Sequence, residues 1–263
     1  MQCAPWQWHH SQDAHFFLFM ESVLYYKRRS DNMNEHALSD RLACVGEQIP
    51  DQARFADIGS DHAYLPVALM LQNKISYAVA GEVVQGPYDS ASKQVRKNGL
   101  ADKIVVRLAD GLDAIQPEDN IDTVVIAGMG GTLIRSILEE GSRKNRLAGV
   151  KRLVLQPNVG ERTLREWLVS NNFIIIHEVL LEENDKNYEI IVAETGKTTY
   201  TSQQLFFGPF LLKEKNPVFL KKWQHELKQR QRVIKELEKA KEPPAEKINE
   251  LKDQIEWIKE VLA

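Results

Sequence analysis

Short apolar runs rich in β-branched residues recur along the first two thirds of the chain, and they constrain its fold more than any other feature. Five such runs cover residues 54–58, 76–80, 104–108, 123–127 and 152–156. Helix-like stretches lie among them, at residues 64–73, 90–98, 131–140 and 161–170. Strands that alternate with helices at this spacing form a parallel sheet that is covered on both faces. The sequence therefore predicts an α/β fold.

Two further strand-like segments follow the fifth run. Residues 173–180 and 188–194 are apolar and β-rich, and the polar segment 182–187 separates them. This pattern predicts an antiparallel hairpin at the edge of the sheet. Before the first run, a stripe of apolar residues predicts one short helix that Pro50 ends; the stripe consists of Leu38, Leu42, Val45 and Ile49.

The composition of the chain changes towards its C-terminus. A polar connector covers residues 196–202, and the apolar patch 206–210 is expected to dock on the sheet domain. Beyond Pro217, two heptad-like apolar stripes are separated by Pro243 and Pro244, which break a helix. We predict a C-terminal α-helical coiled-coil hairpin. The stripes can pair within the chain or between chains, and we expect a monomer.

The chain divides into three parts on this basis. Residues 1–32 mix Trp, His and other aromatic residues without a helix or strand period, and we interpret them as an extension from an upstream start or as non-native residues. A genuine N-terminal helix is the alternative. Residues 33–195 form the predicted sheet domain and residues 196–263 the predicted helical domain.

Composition limits the classes of protein to which the chain can belong. It has 263 residues, a formal net charge of −3 and 43% hydrophobic residues, as is typical of a globular protein. Only Cys3 and Cys44 are present, which excludes a disulfide framework and a cysteine-built zinc site and favours the reducing cytoplasm. No apolar run approaches the ~18 residues that span a bilayer. We expect neither a metal nor a membrane partner.

Charge is distributed unevenly along the chain. Residues 213–241 contain 8 Lys and 2 Arg against 4 Glu, a net charge of +6, whereas residues 242–263 carry −3. A basic helix on an otherwise acidic chain is a candidate contact for a polyanion. The alternative is a solvated coiled-coil face, in which Lys and Glu are common.

The most informative chemical motif is FADIGSDHAYLP, from Phe55 to Pro66. An apolar strand ends in Asp57, Gly59 allows a tight turn, and a helix follows. Unpaired backbone amides therefore face the place where ligands bind in open parallel sheets. Asp61 stands where a dinucleotide-binding G-x-G-x-x-G motif has its second glycine, and its carboxylate would repel a pyrophosphate. The motif argues against NAD and ATP and favours a ligand with a cationic centre and an amino group.

Three more strand ends carry groups that suit such a ligand. Glu82 closes the second strand, where an acid typically accepts hydrogen bonds from a ribose diol. Asp110 follows the third strand and can cap a helix or contact an adenine amino group. The fourth strand runs into the glycine-rich turn 127–131, which either approaches a ligand closely or is simply tight. Together the four ends predict a pocket for S-adenosylmethionine on a Rossmann-like class I methyltransferase sheet.

The motifs ADIGSDHAYLP, AGE, DG, IAGMGG and LQPN, in this order and spacing, resemble the bacterial tRNA (adenine(22)-N1)-methyltransferase family. The closing segment GPFLLKEKNPVFLKKW is also similar to that family, so that the resemblance covers about residues 36–263. It implies a S-adenosylmethionine-dependent methyltransferase domain at residues 33–195, a coiled-coil domain at residues 196–263, and methyl transfer to N1 of adenine 22 in tRNA. The implied partners are tRNA and S-adenosylmethionine.

The resemblance also assigns the cofactor-binding residues by position. They are Asp57, Gly59, Asp61 and His62 on the methionine side, Glu82 at the ribose, Asp110 and Gly111 at the adenine, Gly128, Met129 and Gly130 under the sulfonium, and Val83 as a further cofactor contact. For His62, burial in a helix-capping network is an equal alternative.

No general base is obligatory, because N1 of adenine has a free lone pair and no proton to lose. Gln156 and Asn158, after the fifth strand, are the candidates for contacting the reacting base, although either can cap the next helix instead. Tyr64, Tyr88 and Tyr188 are candidates for stacking on the base or for structural burial.

The expected tRNA-binding residues are basic and would contact phosphates without reading sequence; they are Lys215, Lys221, Lys222, Lys228, Arg230 and Arg232. Two other functions stay open on the sequence. One is a class I methyltransferase that acts on another substrate, and the other is a non-catalytic tRNA-binding module with a degenerate cofactor fold.

Overall fold

The computed structural model describes residues 38–240 and 242–263, and the proposed extension at residues 1–32 lies outside them. The strands of the described part are β1 (Ala53–Ile58), β2 (Ile75–Glu82), β3 (Ile104–Leu108), β4 (Thr123–Met129), β5 (Arg152–Pro157), β6 (Phe173–Glu183) and β7 (Lys186–Thr195). They form one sheet in the order β3-β2-β1-β4-β5-β7-β6. Strands β1 to β5 are parallel, and β7 is antiparallel to both β5 and β6. The predicted parallel sheet with an antiparallel edge hairpin is confirmed.

The helices of the described part are α1 (Asp40–Glu47), α2 (Tyr64–Leu71), α3 (Gln85–Lys97), α4 (Gly131–Arg143), α5 (Glu161–Ser170), α6 (Ser202–Phe207), α7 (Leu211–Glu214), α8 (Pro217–Leu237) and α9 (Ala245–Leu262). Two short 3-10 helices, Gly111–Ala114 and Pro117–Asp119, lie between β3 and β4. None of the helices in this part of the chain is long and apolar enough to cross a membrane.

Both faces of the sheet are buried, which explains why the strands read as continuous apolar runs. Successive side chains of β4 alternate between two apolar layers. Val124 and Ile126 belong to the layer that contains Leu138 of α4 and Leu164 of α5. Val125 belongs to the opposite layer, under α2 and α3.

The edge hairpin is longer than the sequence pattern indicated. Glu182 pairs with Asn187 and Glu183 with Lys186, so the ladder continues through most of the polar segment. Only Asn184 and Asp185 form the turn, with φ angles of 51° and 59°. Two successive left-handed residues are the geometry of a type I′ turn, whose twist matches that of the strands.

The C-terminal helices pack on the edge hairpin, as the apolar patch predicted. Phe206 and Phe207 of α6 are buried with Trp223 of α8, Ile258 of α9 and Leu180 of β6. Further along the same two helices, a second apolar cluster closes the helical hairpin; it contains Ile234, Ile248, Leu251 and Ile255. The C-terminal helices are therefore joined to the sheet by an aromatic core that β6 helps to build.

Candidate active site

The carboxyl ends of four neighbouring strands bring most of the predicted cofactor residues to one edge of the sheet. Ile58 of β1 pairs with Gly81 of β2 and with Ile126 of β4, and Glu82 pairs with Leu108 of β3. The strand ends that carry Asp57, Glu82, Asp110 and Gly128 are consequently adjacent. This is the convergence on which the predicted pocket depends.

Asp57 is a buried carboxylate at the end of β1. Its side chain is 5% exposed, and Ser60 Oγ donates a hydrogen bond to Asp57 Oδ2 over 2.6 Å. Burial raises the pKa of Asp57 to about 7, with Glu82 and Asp61 adding to the rise and the Ser60 bond and Arg41 opposing it. A carboxyl group in this state is poised to ionise when a cationic ligand arrives.

Glu82 ends β2 and is 6% exposed. Burial raises the pKa of its carboxyl group, against a hydrogen bond from the backbone of Asp61. Its Oε1 atom is buried and has no hydrogen-bond partner within the described part of the chain. Burying an acceptor without a hydrogen-bond donor costs free energy, so a donor on a ligand would stabilise this atom. A ribose diol would supply such a donor.

The loop between β1 and α2 has an unusual backbone. Asp61, His62 and Ala63 follow one another at φ angles of 43°, 66° and 54°, a left-handed path that costs non-glycine residues energy. Gly59 precedes them at φ 72°, and a Cβ atom there would collide with the side-chain methyl group of Met129. His62 is half-exposed beside Asp61, and Ala63 occupies the N-cap of α2, so the helix-capping alternative for His62 is wrong.

The β3 side of the edge offers apolar surface next to polar groups. Asp110 is exposed and makes no side-chain capping bond to the 3-10 helix that Gly111 begins. Both residues line a groove together with Leu133 and Ile137 of α4. Val83, Leu108 and Leu133 are exposed by 66%, 48% and 53%. Exposed apolar side chains beside a polar groove suit a flat base, and the sequence did not single out Leu108 or Leu133.

The glycine-rich turn after β4 serves two different purposes. Gly128 adopts a φ of 78°, and Gly130 leads into α4 with open space around it. Gly131, by contrast, is packed against backbone atoms of Gly160, where a Cβ would collide. The close contact between Gly131 and Gly160 is thus packing between two loops. The surface of the turn at Gly128 and Gly130, in contrast, stays accessible to a ligand.

Gln156 and Asn158 brace this turn. Gln156 is completely buried, and its Oε1 accepts a hydrogen bond of 3.0 Å from the Gly128 amide. Asn158 Nδ2 donates to the Gly128 carbonyl over 2.8 Å, and its own amide donates to the Met129 carbonyl. The expectation that Gln156 contacts the reacting base is therefore corrected: its side chain has no access to a substrate, and it holds the turn in place. Asn158 is exposed, so it stays a candidate for contacting the reacting base.

Helix α1 contributes Arg41, a residue to which no sequence motif pointed. Its Nη1 donates to Gln156 Oε1 over 2.6 Å, and its guanidinium carbon lies 5.5 Å from the centre of the Tyr188 ring. Both partners are distant in sequence, so only the folded chain reveals that a cation stands next to the Gly128 turn.

The six predicted tRNA-binding residues do not form one surface. Lys215, Lys221, Lys228 and Arg232 are exposed. Lys222 is 14% exposed and forms ion pairs with Glu161 and Glu189, and Arg230 lies over the Phe206 ring with bonds to Glu226 and Gln254. Lys222 therefore joins α8 to α5 and β7, and Arg230 binds the C-terminal helices to one another, so their assignment as phosphate contacts is corrected.

A sheet of this order, with acids and a glycine-rich turn at four adjacent strand ends, defines a Rossmann-like enzyme of the class I methyltransferase type. The family model described as tRNA (adenine(22)-N(1))-methyltransferase matches residues 55–260, and the chain belongs to this family. Among the described residues, no group of three His, Cys, Asp or Glu side chains could hold a metal ion.

Relatives of known identity are similar over almost their whole length. The tRNA (adenine(22)-N(1))-methyltransferase of Bacillus subtilis is 48% identical over 238 residues, covering 88% of this chain and 99% of the relative. The crystal structure of the B. subtilis m1A22 tRNA methyltransferase has a TM-score of 0.81 at 46% identity, covering 87% of this chain and 100% of the other. A structure from M. capricolum, in complex with S-adenosylhomocysteine, has a TM-score of 0.75 at 31% identity, covering 86% and 97%.

Proposed function

We propose that this protein transfers a methyl group from S-adenosylmethionine to N1 of adenine 22 in tRNA. Membership of the family supports the reaction and its substrate. The observation that ties it to this chain's own residues is the buried Oε1 atom of Glu82, which has no partner among residues 38–240 and 242–263, at the same edge as Asp57 and Gly128. The M. capricolum relative binds the product form of this cofactor.

The residues at the strand ends fit this cofactor. Glu82 would accept hydrogen bonds from the ribose hydroxyls, since its Oε1 atom lacks a donor among the described residues. Asp57 would stabilise the cationic methionine end, and the groove at Asp110 and Leu133 would hold the adenine. We keep Gly59, Asp61, His62, Val83, Gly111, Met129 and Gly130 as further proposed contacts.

When bound, the cofactor supplies a methyl group on a cationic sulfur; the N1 lone pair forms the new C–N bond as the C–S bond breaks, and the positive charge passes to the base. The side chains need move no proton, because N1 carries none. Their task is alignment at a separation of roughly 3 Å. Gln156 and Asn158 serve it by fixing the Gly128–Met129 turn.

The substrate must present its Watson–Crick edge, where N1 lies, so the base must be unpaired or extruded. Exposed cations on α8 would hold the tRNA backbone, and we propose Lys221, Lys228 and Arg232 there, with Lys215 just before the helix. On this proposal residues 33–195 form the methyltransferase domain and residues 196–263 the tRNA-binding domain. Because tRNA is a cytoplasmic molecule, we place the protein in the cytoplasm.

The test is site-specific methylation. Purified protein is incubated with labelled S-adenosylmethionine and an unmodified tRNA transcript, and the methyl group is mapped by primer-extension arrest and nucleoside analysis. A transcript with guanine at position 22 is the matched control. We expect one 1-methyladenine at position 22 and none in the control. A methyl group at another position, or equal labelling of both transcripts, would refute the proposal.

A further inference from the structure

Arg41 reaches from α1 to the edge of the sheet where methyl transfer is proposed. Its Nη1 is 2.6 Å from Gln156 Oε1, the same atom that accepts the amide of Gly128. If Gly128 carried a Cβ, that atom would be 3.6 Å from Arg41 Nη1. The face of Tyr188 lies under the guanidinium and limits its movement. The cation is therefore held at a fixed place beside the glycine-rich turn.

The charge of Arg41 is not neutralised by the described part of the chain, where no carboxylate lies within ion-pair distance of its guanidinium. Its hydrogen-bond partner is a neutral amide, and a guanidinium has five N–H donors. The half-buried Arg107 and Arg152, in contrast, each pair with an acid. The field of Arg41 reaches the pocket, because it lowers the pKa of Asp57 against the effect of burial.

Bracing of Gln156 alone does not account for this cation. Gln156 Nε2 already donates to the Pro157 carbonyl over 2.9 Å and to Asn158 Oδ1 over 3.2 Å, and its Oε1 accepts the Gly128 amide. The side chain would thus stay fixed without Arg41. A neutral donor would also complete the same bond, without placing an unpaired charge at the site.

We propose that Arg41 binds an oxyanion at the methyl-transfer edge, an inference that rests on the proposed function. That reaction brings two oxyanions to this place, the carboxylate of the cofactor's methionine moiety and the phosphate next to the target adenine. The planar guanidinium fork matches either one with two parallel hydrogen bonds. Arg41 is then a binding residue of the known reaction, supplied by a helix outside the sheet.

The experiment compares Arg41→Gln and Arg41→Lys with Arg54→Gln as a matched control. Arg54 also lies over a tyrosine ring, at 4.1 Å from the centre of Tyr77, but it stands at the opposite end of β1. Calorimetry measures the Kd of S-adenosylhomocysteine and of 5′-methylthioadenosine, which lacks the amino-acid moiety. Steady-state assays measure KM for tRNA at several salt concentrations, and thermal unfolding reports the stability of each variant.

If the oxyanion is the carboxylate, Arg41→Gln raises the Kd of S-adenosylhomocysteine tenfold or more and leaves that of methylthioadenosine unchanged. If it is the phosphate, both Kd values stay constant, whereas KM for tRNA rises. The slope of log KM for tRNA against log salt concentration then decreases by about one. In either case, Arg41→Lys, which keeps the positive charge, loses less affinity than Arg41→Gln. Equal weakening of both nucleosides, or no change in any constant, overturns the inference. Failure of the wild-type protein to bind S-adenosylhomocysteine would instead refute the proposed function.

Discussion

Asp57 and Glu82 are buried carboxylates at the ends of two adjacent strands, and neither forms an ion pair within the described part of the chain. A hydrophobic residue at either place would remove the cost of taking a charged group out of water. Both acids instead keep a raised pKa, and one oxygen of Glu82 finds no donor in the part of the chain that the structure describes. At the scale of single residues, these two acids therefore lower the folding stability of the free protein and serve ligand binding.

The pH dependence of cofactor binding follows from Asp57. Below a pH of about 7, its carboxyl group is protonated in the free protein, and a cationic ligand must displace that proton. We expect the affinity for S-adenosylmethionine to fall as the pH is lowered from 8 to 5.5, by at most about tenfold per unit. Calorimetry across this range measures it, and Asp57→Asn should bind weakly with a flat profile. An equally steep profile in the variant would exclude Asp57 as the titrating group.

The free protein should respond to pH in the opposite direction. Because the folded pKa of Asp57 lies above its unfolded value, the contribution of this group to stability is complete at low pH. That contribution is lost as the pH rises through about 7. Asp57→Asn should remove this part of the pH dependence in denaturant unfolding of the ligand-free protein.

Glu82→Gln separates binding from stability. The amide loses charged hydrogen bonds worth about 1.5–3 kcal/mol, so we expect the Kd of S-adenosylhomocysteine to rise roughly 10- to 100-fold. The ligand-free variant should unfold at the same temperature as the wild type or a higher one, because an unpaired buried acid is gone. Thermal unfolding with and without ligand measures both effects. A clear loss of stability without ligand would mean that Glu82 is structural.

The sequence revealed the acids of the site but not the residues that surround them. Asp57 and Glu82 stand directly after apolar runs, so strand order alone predicted their convergence. Arg41 and Leu133 come from helices, whose approach to the strand ends depends on packing that no local pattern encodes. The left-handed backbone at residues 61–63 was not predicted either, because none of these three residues is a glycine.

At the scale of elements, α8 shows why net charge is an incomplete guide. The helix is strongly basic in sequence, yet Lys222 pairs with Glu189 of β7, and Arg230 pairs with Glu226 on its own helix. Neighbouring positions on the same helix, Lys228 and Arg232, are exposed and lie four residues apart on one face. The position of each cation around the helix, compared with the face that packs on the rest of the protein, shows which cations can contact a polyanion.

Lys228→Glu combined with Arg232→Glu should weaken tRNA binding without affecting the cofactor. Reversing two phosphate contacts lowers affinity and reduces the slope of log K against log salt by about two ions. The matched control is Lys247→Glu with Lys252→Glu on α9, two lysines that are 56% and 57% exposed. Filter binding with tRNA at four salt concentrations measures the slopes. Equal losses in both double variants would show that general charge, and not α8, determines binding.

At the scale of the whole molecule, a buried network of charges joins α8 to the sheet and to α5. Arg165 of α5 is completely buried between Glu178 and Glu189, and Glu189 also pairs with Lys222 of α8 over 2.6 Å. Glu178 accepts the backbone amide of Phe210 over 2.9 Å. The sequence predicted an aromatic contact between the sheet and the C-terminal segment but not this network, because the charged residues are scattered over four elements that meet only after folding.

The network predicts that two adjacent lysines differ greatly in importance. Lys222→Met would leave Glu189 buried with one cation fewer, and breaking a buried pair costs about 3–5 kcal/mol. Lys221→Met removes an exposed pair with Glu182 and should change little, because water screens such contacts. Denaturant unfolding of both variants measures the difference.

Lys222→Met also tests whether the network sets the position of the C-terminal helices, by comparison with the wild type, because Lys221 is itself a proposed tRNA contact. If it does, Lys222→Met raises KM for tRNA and speeds hydrogen exchange in α8, while the affinity for S-adenosylhomocysteine stays close to that of the wild type. Although burial acts against it, Lys222 and Arg165 lower the pKa of Glu189. The contribution of Glu189 to stability is therefore lost only as the pH falls through that lowered value. Parallel loss of tRNA and cofactor binding in Lys222→Met would indicate global loosening, and the two domains would then be one cooperative unit.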